Sequence, residues 1–262
     1  MTTHLSLGLY DDRFDCAAGS APPRRYAILS LPRTGSNYLC GRLHNLRGCL
    51  GLPMEYLHRD AIRVMGGRLF PGFDGTLGVD RYLDAVARVR TTVDGWFGIK
   101  IQPAQLLPLF GGDAGRAADF LRRFDRIIFM TRDDRLGQAI SGAIAHATGV
   151  WFNFGDEPDL SEGDLERLLP LVERLLRDYE QEEASVRAIA SRLADRPALH
   201  LRYEEMEAAA EPVFVRAAAF LGIDDAALLA TADAVRSTRK PPGTLAARIR
   251  AAYLARTAGA TS

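Results

Sequence analysis

The sequence predicts an α/β fold, a parallel β-sheet flanked by helices. Short apolar runs recur at residues 26–31, 96–101, 125–131 and 198–203. Segments with helical spacing separate them. Pro, Gly and Ser punctuate the junctions, most tightly at Pro32-Arg33-Thr34-Gly35-Ser36.

The elements follow in order. Residues 1–25 hold Asp11, Asp12, Gly19 and the Pro22-Pro23 pair and read as an extended, partly mobile lead-in. The expected organisation is therefore a lead-in over residues 1–24 and a single domain over residues 25–262. Residues 26–31 form a short buried strand, and Leu39 and Leu43, one helical turn apart, open the helix that follows. Gly48 and Gly51 break that pattern, and residues 50–57 are a short ordered segment. A stretch reaching Gly78 through Gly66, Gly67, Pro71, Gly72 and Gly75 reads as a substrate-side loop or lid. Tyr82, Val86 and Val89 place a helix over residues 79–89. The strand at residues 96–101 carries Lys100, and Leu106 and Leu107 sit in a connecting turn. Residues 114–124 are helical, 125–131 a strongly apolar strand and 133–147 a helix. Residues 160–193 read as a helix pair broken near Pro170. A strand at 198–203 precedes a helix at 211–220, with Pro212 in its first turn.

A chain of 262 residues suits one large domain or two small ones. Its 47% hydrophobic and 25% charged content is that of a soluble globular protein. With 33 basic and 33 acidic residues, bulk nucleic acid and anionic membrane surfaces are excluded as main partners. Cys16, Cys40 and Cys49 are odd in number and form no C-x-x-C pair, which implies no disulfide framework and a reducing compartment. The first residues lack the basic-then-apolar order of a signal peptide, and no apolar run is long enough to span a membrane. The expected location is the cytoplasm.

The chemistry gathers at two places. A strand, a small-residue turn and a helix N-terminus hold anions well, because free N–H groups and the helix dipole point at the ligand. The turn at residues 32–36 has that form without the spaced glycines and Gly-Lys pair of a Walker A loop. Arg33 supplies charge, and Thr34 and Ser36 supply hydroxyls, either of which can instead act as an N-cap. Arg132 ends the strand at 125–131, where open α/β sheets bind ligands, and Ser141 lies about two and a half turns into the next helix. Together they can clasp a phosphate, or Arg132 can pair with Asp134 while Ser141 faces another helix.

These two stretches resemble the sulfotransferases that use 3′-phosphoadenosine 5′-phosphosulfate (PAPS) as donor. Further matches are Gly51-Leu52-Pro53-Met54-Glu55-Tyr56-Leu57, Gly98-Ile99-Lys100, Gln138-Ala139-Ile140-Ser141 and Thr148-Gly149-Val150-Trp151. In this order they look like the bacterial trehalose 2-sulfotransferase family. Tyr203-Glu204-Glu205-Met206 and the segment from Pro212 to Gly222 are similar to the closing helix of sulfotransferases generally.

The resemblance implies a P-loop NTPase-like sulfotransferase fold and a sulfonate acceptor that is a hydroxyl of a carbohydrate, glycolipid or small molecule. It implies that Arg33, Thr34, Gly35, Ser36 and Asn37 hold the 5′-phosphosulfate, and Arg132 and Ser141 the 3′-phosphate. The basic cluster Arg236, Arg239 and Lys240 either closes over that phosphate or is a solvated loop before Pro241-Pro242. Glu55 takes the place of the general base, with His58 second and His44 third. Arg33 assists at the sulfonate, and Lys100 either steadies it or snorkels beside Trp96. Leu52 stands where relatives carry an acidic residue that binds sugar hydroxyls, which suits an apolar acceptor better. The family likeness further implies a homodimer and a reaction without metal. The rival readings are a Mg²⁺-dependent phosphotransferase, for which the acidic strand-end ligand is missing, and a non-catalytic nucleotide-binding protein.

Overall fold

Four parallel strands, β1 (Arg24–Ser30), β2 (Trp96–Ile101), β3 (Arg126–Thr131) and β4 (Ala198–Arg202), form one sheet in the order β2-β1-β3-β4. The structure is a computed structural model that describes residues 7–16, 24–46, 48–75, 78–151, 162–234 and 244–259. Eleven helices accompany the strands among these residues: α1 (Ser36–His44), α2 (Arg59–Leu69), α3 (Val79–Arg90), α4 (Pro103–Leu106), α5 (Ala114–Leu121), α6 (Arg135–Thr148), α7 (Glu162–Arg192), α8 (Tyr203–Ala208), α9 (Ala210–Phe220), α10 (Ala226–Leu229) and α11 (Thr244–Gly259).

The two faces of the sheet carry separate cores because strand side chains alternate. Ala27, Leu29, Phe97, Ile99, Ile101, Ile127 and Phe129 pack with α2, α3, α5, α6, α7 and α11. Tyr26, Ile28, Trp96, Ile128, Met130 and Leu201 pack with α1 and α9 on the other face. Helices on both faces account for the near-continuous apolar runs of the strands. Among the described residues Cys16, Cys40 and Cys49 form no disulfide. Among the described residues no helix is long and apolar enough to cross a membrane.

Three expectations need correction. The Gly-punctuated stretch contains α2, capped by His58, whose Nδ1 accepts from the Asp60 N–H at 3.2 Å. Ala61 and Met65, one turn apart, are buried, so the stretch is partly core rather than lid. The long helical stretch is one helix, α7, and Pro170 lies within it on the exposed side. Leu165, Leu168, Leu169, Val172, Leu175, Val186 and Ile189 bury one continuous face, and that packing outweighs the backbone bond Pro170 forgoes.

The third correction concerns the start of the chain. Leu7–Tyr10 and Asp12–Phe14 are turns of 3-10 helix, not extended chain. Tyr10 is fully buried, edge-on to Tyr56 at 5.8 Å between ring centres. Arg68 grips the Asp15 carboxylate at 2.5 and 2.9 Å. Buried Arg90 donates to the Asp11 carbonyl at 2.9 Å, and its Nε lies 3.4 Å from Asp15. A buried guanidinium needs such partners, and these hold the segment down.

Gly98 pairs with Tyr26 across β1 and β2. A Cβ at Gly98 would sit 2.2 Å from Tyr26 Cζ, and the fully buried Tyr26 is tied by its hydroxyl to the Leu50 carbonyl at 2.9 Å. Gly98→Ala is therefore expected to destabilise the fold by about 1–3 kcal/mol. A clear drop in Tm by circular dichroism checks this, and an unchanged Tm contradicts it.

Candidate active site

Between β1 and α1 the chain makes a turn that opens a helix N-terminus without covering it. Thr34 is fully buried, and its Oγ1 donates to the Leu31 carbonyl at 2.9 Å, so the hydroxyl shapes the turn itself. Gly35 has φ +78°, so the backbone favours glycine there, and a Cβ would only displace the flexible end of Met206. α1 has no side-chain cap, and its first turn closes only with the Leu39 N–H on the Gly35 carbonyl at 3.2 Å. The N–H groups ahead of Leu39 are free for an anion.

Arg33 is the one non-glycine residue with positive φ among the described residues, at 62°. Such a backbone costs on the order of 1–3 kcal/mol and persists only where its surroundings fix it. Here α6 and β3 do so. Gln138 Nε2 donates to the Pro32 carbonyl at 2.7 Å, Arg33 Nε to Ser141 Oγ at 2.9 Å and Arg33 Nη1 to the Trp151 carbonyl at 2.9 Å. Arg132 Nη1 donates to the Arg33 carbonyl at 3.2 Å. Burial lowers the pKa of Arg33, but a guanidinium starts so high that it remains charged.

Glu55 reaches the site through backbone pairing. Met54 bridges Ile99 in parallel register, and the Lys100 N–H donates to the Met54 carbonyl at 3.0 Å. This places Lys100 Nζ 2.6 Å from Glu55 Oε1, and the same ammonium donates to Asn37 Oδ1. Gln102 Nε2 donates to Glu55 Oε1 at 3.1 Å, and Gln105 Nε2 to Oε2 at 2.5 Å. Burial pushes the Glu55 pKa up, but the Lys100 charge, the hydrogen bonds from Lys100 and Gln105, and His58 outweigh it and hold it below the ordinary carboxylate value. At neutral pH Glu55 is an ionised acceptor of hydrogen bonds and protons.

One cavity of about 290 Å³ collects these groups. Arg33, Ser36, Asn37, Glu55, His58 and Lys100 line it, all named from the sequence. Gly35 and Thr34 shape the turn without lining the cavity. Ser141 and Arg132 are joined to it through Arg33, so the two expected anion-binding stretches are contiguous. His44 is elsewhere, with its Nδ1 donating to the Gly51 carbonyl at 3.0 Å. Lys100 pairs with Glu55 and Asn37 instead of snorkelling beside Trp96. Arg236, Arg239 and Lys240 lie outside the described residues.

Leu52 does not face the cavity. It is buried, its carbonyl accepts from the Tyr56 hydroxyl at 2.8 Å, and the sheet-edge pairing of Met54 turns the segment so that Glu55 lines the cavity and Leu52 does not. The opposite wall comes from α7, through Leu175, Asp178, Tyr179 and Glu182, with His146 and Trp151 beside it. Sequence reading missed this wall. Its legible signal is the polar members at helical spacing on an otherwise apolar face of α7. Among the described residues no cluster of three His, Cys, Asp or Glu side chains is arranged for a metal ion.

The model of the family described as Stf0 sulphotransferase matches residues 25–170. Among solved structures, similarity extends to a sulfotransferase from Alicyclobacillus acidocaldarius, with 19% identity over 89% of this chain and 92% of that one and a TM-score of 0.47. The sulfotransferase domain from the Synechococcus PCC 7002 olefin synthase is 19% identical over 84% of this chain and 82% of its own, with a TM-score of 0.43. The sulfotransferase domain from the curacin biosynthetic pathway is 13% identical over 80% and 77%, with a TM-score of 0.43. No curated protein matches the chain.

Glu182 supplies a test of the α7 wall. Burial and the neighbouring Asp178 raise its pKa to about 7, and its Oε2 has no hydrogen-bond partner. A raised carboxyl pKa stabilises the fold while protonated. The contribution is full below the ordinary carboxylate range and is lost as pH rises through about 7. Glu182→Gln is expected to match the wild type in stability near pH 4 and to exceed it by about 2–3 kcal/mol at pH 8. Thermal unfolding at both pH values checks this, and a constant difference refutes it.

Proposed function

The chain belongs to the Stf0 sulphotransferase family, and from that premise we propose that it transfers a sulfonate group from PAPS to a hydroxyl of a carbohydrate, glycolipid or other small polar acceptor. The observation that carries the reading is the shared cavity: an uncapped helix N-terminus with Arg33 and Ser36 on one side, and an ionised carboxylate, Glu55, on the other.

The residues present fit the donor's two anionic ends. The first-turn N–H groups of α1, with Arg33, Ser36 and Asn37, would hold the 5′-phosphosulfate. Arg132 would hold the 3′-phosphate. Its guanidinium lies 4.1 Å over the Tyr203 ring, and its buried Nε has no hydrogen-bond partner, which leaves donor capacity unspent. Ser141 bridges the two through Arg33.

The donor is a substrate and supplies the sulfonate. Glu55 accepts the acceptor hydroxyl's proton as that oxygen bonds to sulfur and the bond from sulfur to the 5′-phosphate oxygen breaks. Charge then gathers on the departing oxygen, where fixed cations and N–H donors stabilise it. Lys100 stands between the two events, because one ammonium touches both Glu55 and Asn37 at the loop. Its shift towards the departing oxygen raises the basicity of Glu55 as Glu55 takes the proton. Asp178, Glu182, Tyr179 and Trp151 face the acceptor side, and carboxylates beside aromatic rings suit a ligand rich in hydroxyls.

Two measurements test these roles. Glu55→Gln should lower turnover about 10²–10⁴-fold with donor affinity near wild type, while His58→Gln has a much smaller effect. A reversed order makes His58 the base. Arg132→Ala should weaken adenosine 3′,5′-bisphosphate by about 2–3 kcal/mol more than adenosine 5′-phosphate, which loses only the support that Arg132 gives the loop through the Arg33 carbonyl. Equal weakening in calorimetry removes Arg132 from the 3′-phosphate.

A further inference from the structure

Asp134 is the acidic neighbour that ought to neutralise Arg132, and it is held more closely by something else. As the N-cap of α6 its carboxylate accepts the Gly137 N–H at 3.0 Å. Arg250 Nη2, from α11, reaches both of its oxygens at 2.7 Å. Arg132 Nη2 stands 3.6 Å from Asp134 Oδ2, an ion-pair contact too long for a hydrogen bond. Arg250 is presented firmly, because its neighbours Leu245 and Ile249 are buried in the core shared with α6 and α7.

We propose that Arg250 is a positioning residue of the anion site: it draws the Asp134 carboxylate away from Arg132, so that Arg132 keeps its charge and donors for a phosphate group. The inference rests on the assignment of Arg132 to the 3′-phosphate. Without Arg250, Asp134 has Arg132 as its nearest cation in the described structure, and a small rotation closes the gap to a carboxylate–guanidinium pair. An incoming phosphate must then displace a carboxylate. Of the other charges at this strand end, Glu204 Oε1 accepts the N–H groups of Asp133 and Asp134 at 3.0 and 3.1 Å while its buried Oε2 has no hydrogen-bond partner, and Arg202 Nη1 pairs with Asp133 at 3.0 Å.

The test is a calorimetric cycle on the full chain with adenosine 3′,5′-bisphosphate and adenosine 5′-phosphate as probes. Arg250→Ala is expected to weaken the bisphosphate about tenfold, which corresponds to ~1.4 kcal/mol, and to leave the monophosphate within about twofold. Arg250→Lys keeps the charge and most of the affinity. Asp134→Asn keeps a capping side chain for α6 that cannot neutralise Arg132, so adding it to Arg250→Ala restores bisphosphate binding. A merely structural role for Arg250 predicts loss for both probes and no restoration, and either result overturns the proposal. Arg132→Ala runs alongside. If it weakens both probes equally, the assignment of Arg132 fails and the proposal with it. If Arg132→Ala is selective and Arg250→Ala is not, the proposal alone falls.

Discussion

A single ammonium organises this site. Lys100 is 3% exposed, and a buried charge of that kind is tolerable only with partners in place. Its partners come from two different segments: Asn37 from the start of α1 and Glu55 from the strip that bridges β2. The need to satisfy one cation therefore fixes how the phosphate-type loop and the carboxylate face each other. Gln102 and Gln105 complete the arrangement from beyond the end of β2, so that both oxygens of Glu55 are held. A carboxylate held by three donors in this way has little rotational freedom.

The loop itself is held from outside. Its own residues supply two positive φ angles, strained at Arg33 and relaxed at Gly35. The contacts that make this conformation persist come from Gln138, Ser141 and Arg132, on the helix and strand end across the sheet. The turn after β1 and the turn after β3 are adjacent because β1 and β3 are paired, the position where open α/β sheets gather their ligands. Loop and clamp are thus one unit, and a change in α6 reaches the loop without touching any ligand.

Much of this was legible in the sequence, and the limits have physical reasons. The strands announce themselves because both faces are buried, and the loop because strand, glycine turn and helix follow one another within a few residues. Arg33, Glu55 and Lys100 stand out by residue type at element ends. What could not be read is pairing across long separations. The partnership of Lys100 with Glu55 depends on the bridge between Met54 and Ile99, which no local spacing encodes. Leu52 was misplaced for the same reason, since that bridge decides which side of the segment meets the cavity. Pro170 misled because local propensity argued for a break while the buried face of α7 argued for continuity, and packing prevailed. The α7 wall went unseen because Asp178 and Glu182 look like ordinary surface carboxylates until the helix is set against the loop.

The short segment before the first strand has a bearing on where the molecule can be cut. Residues 7–16 contribute nothing to the lining of the cavity, and the family match begins only at residue 25. Yet Tyr10 packs on Tyr56, the residue next to Glu55, and Asp15 sits between Arg68 and Arg90, the latter 1% exposed. A chain that began at residue 25 would keep every residue that lines the cavity. It would also strand a guanidinium in the interior without its carboxylate, a loss of about 3–5 kcal/mol, comparable to much of a domain's net stability. The stable folding unit is therefore longer than the stretch that lines the cavity, and the excess lies behind the carboxylate rather than around the loop.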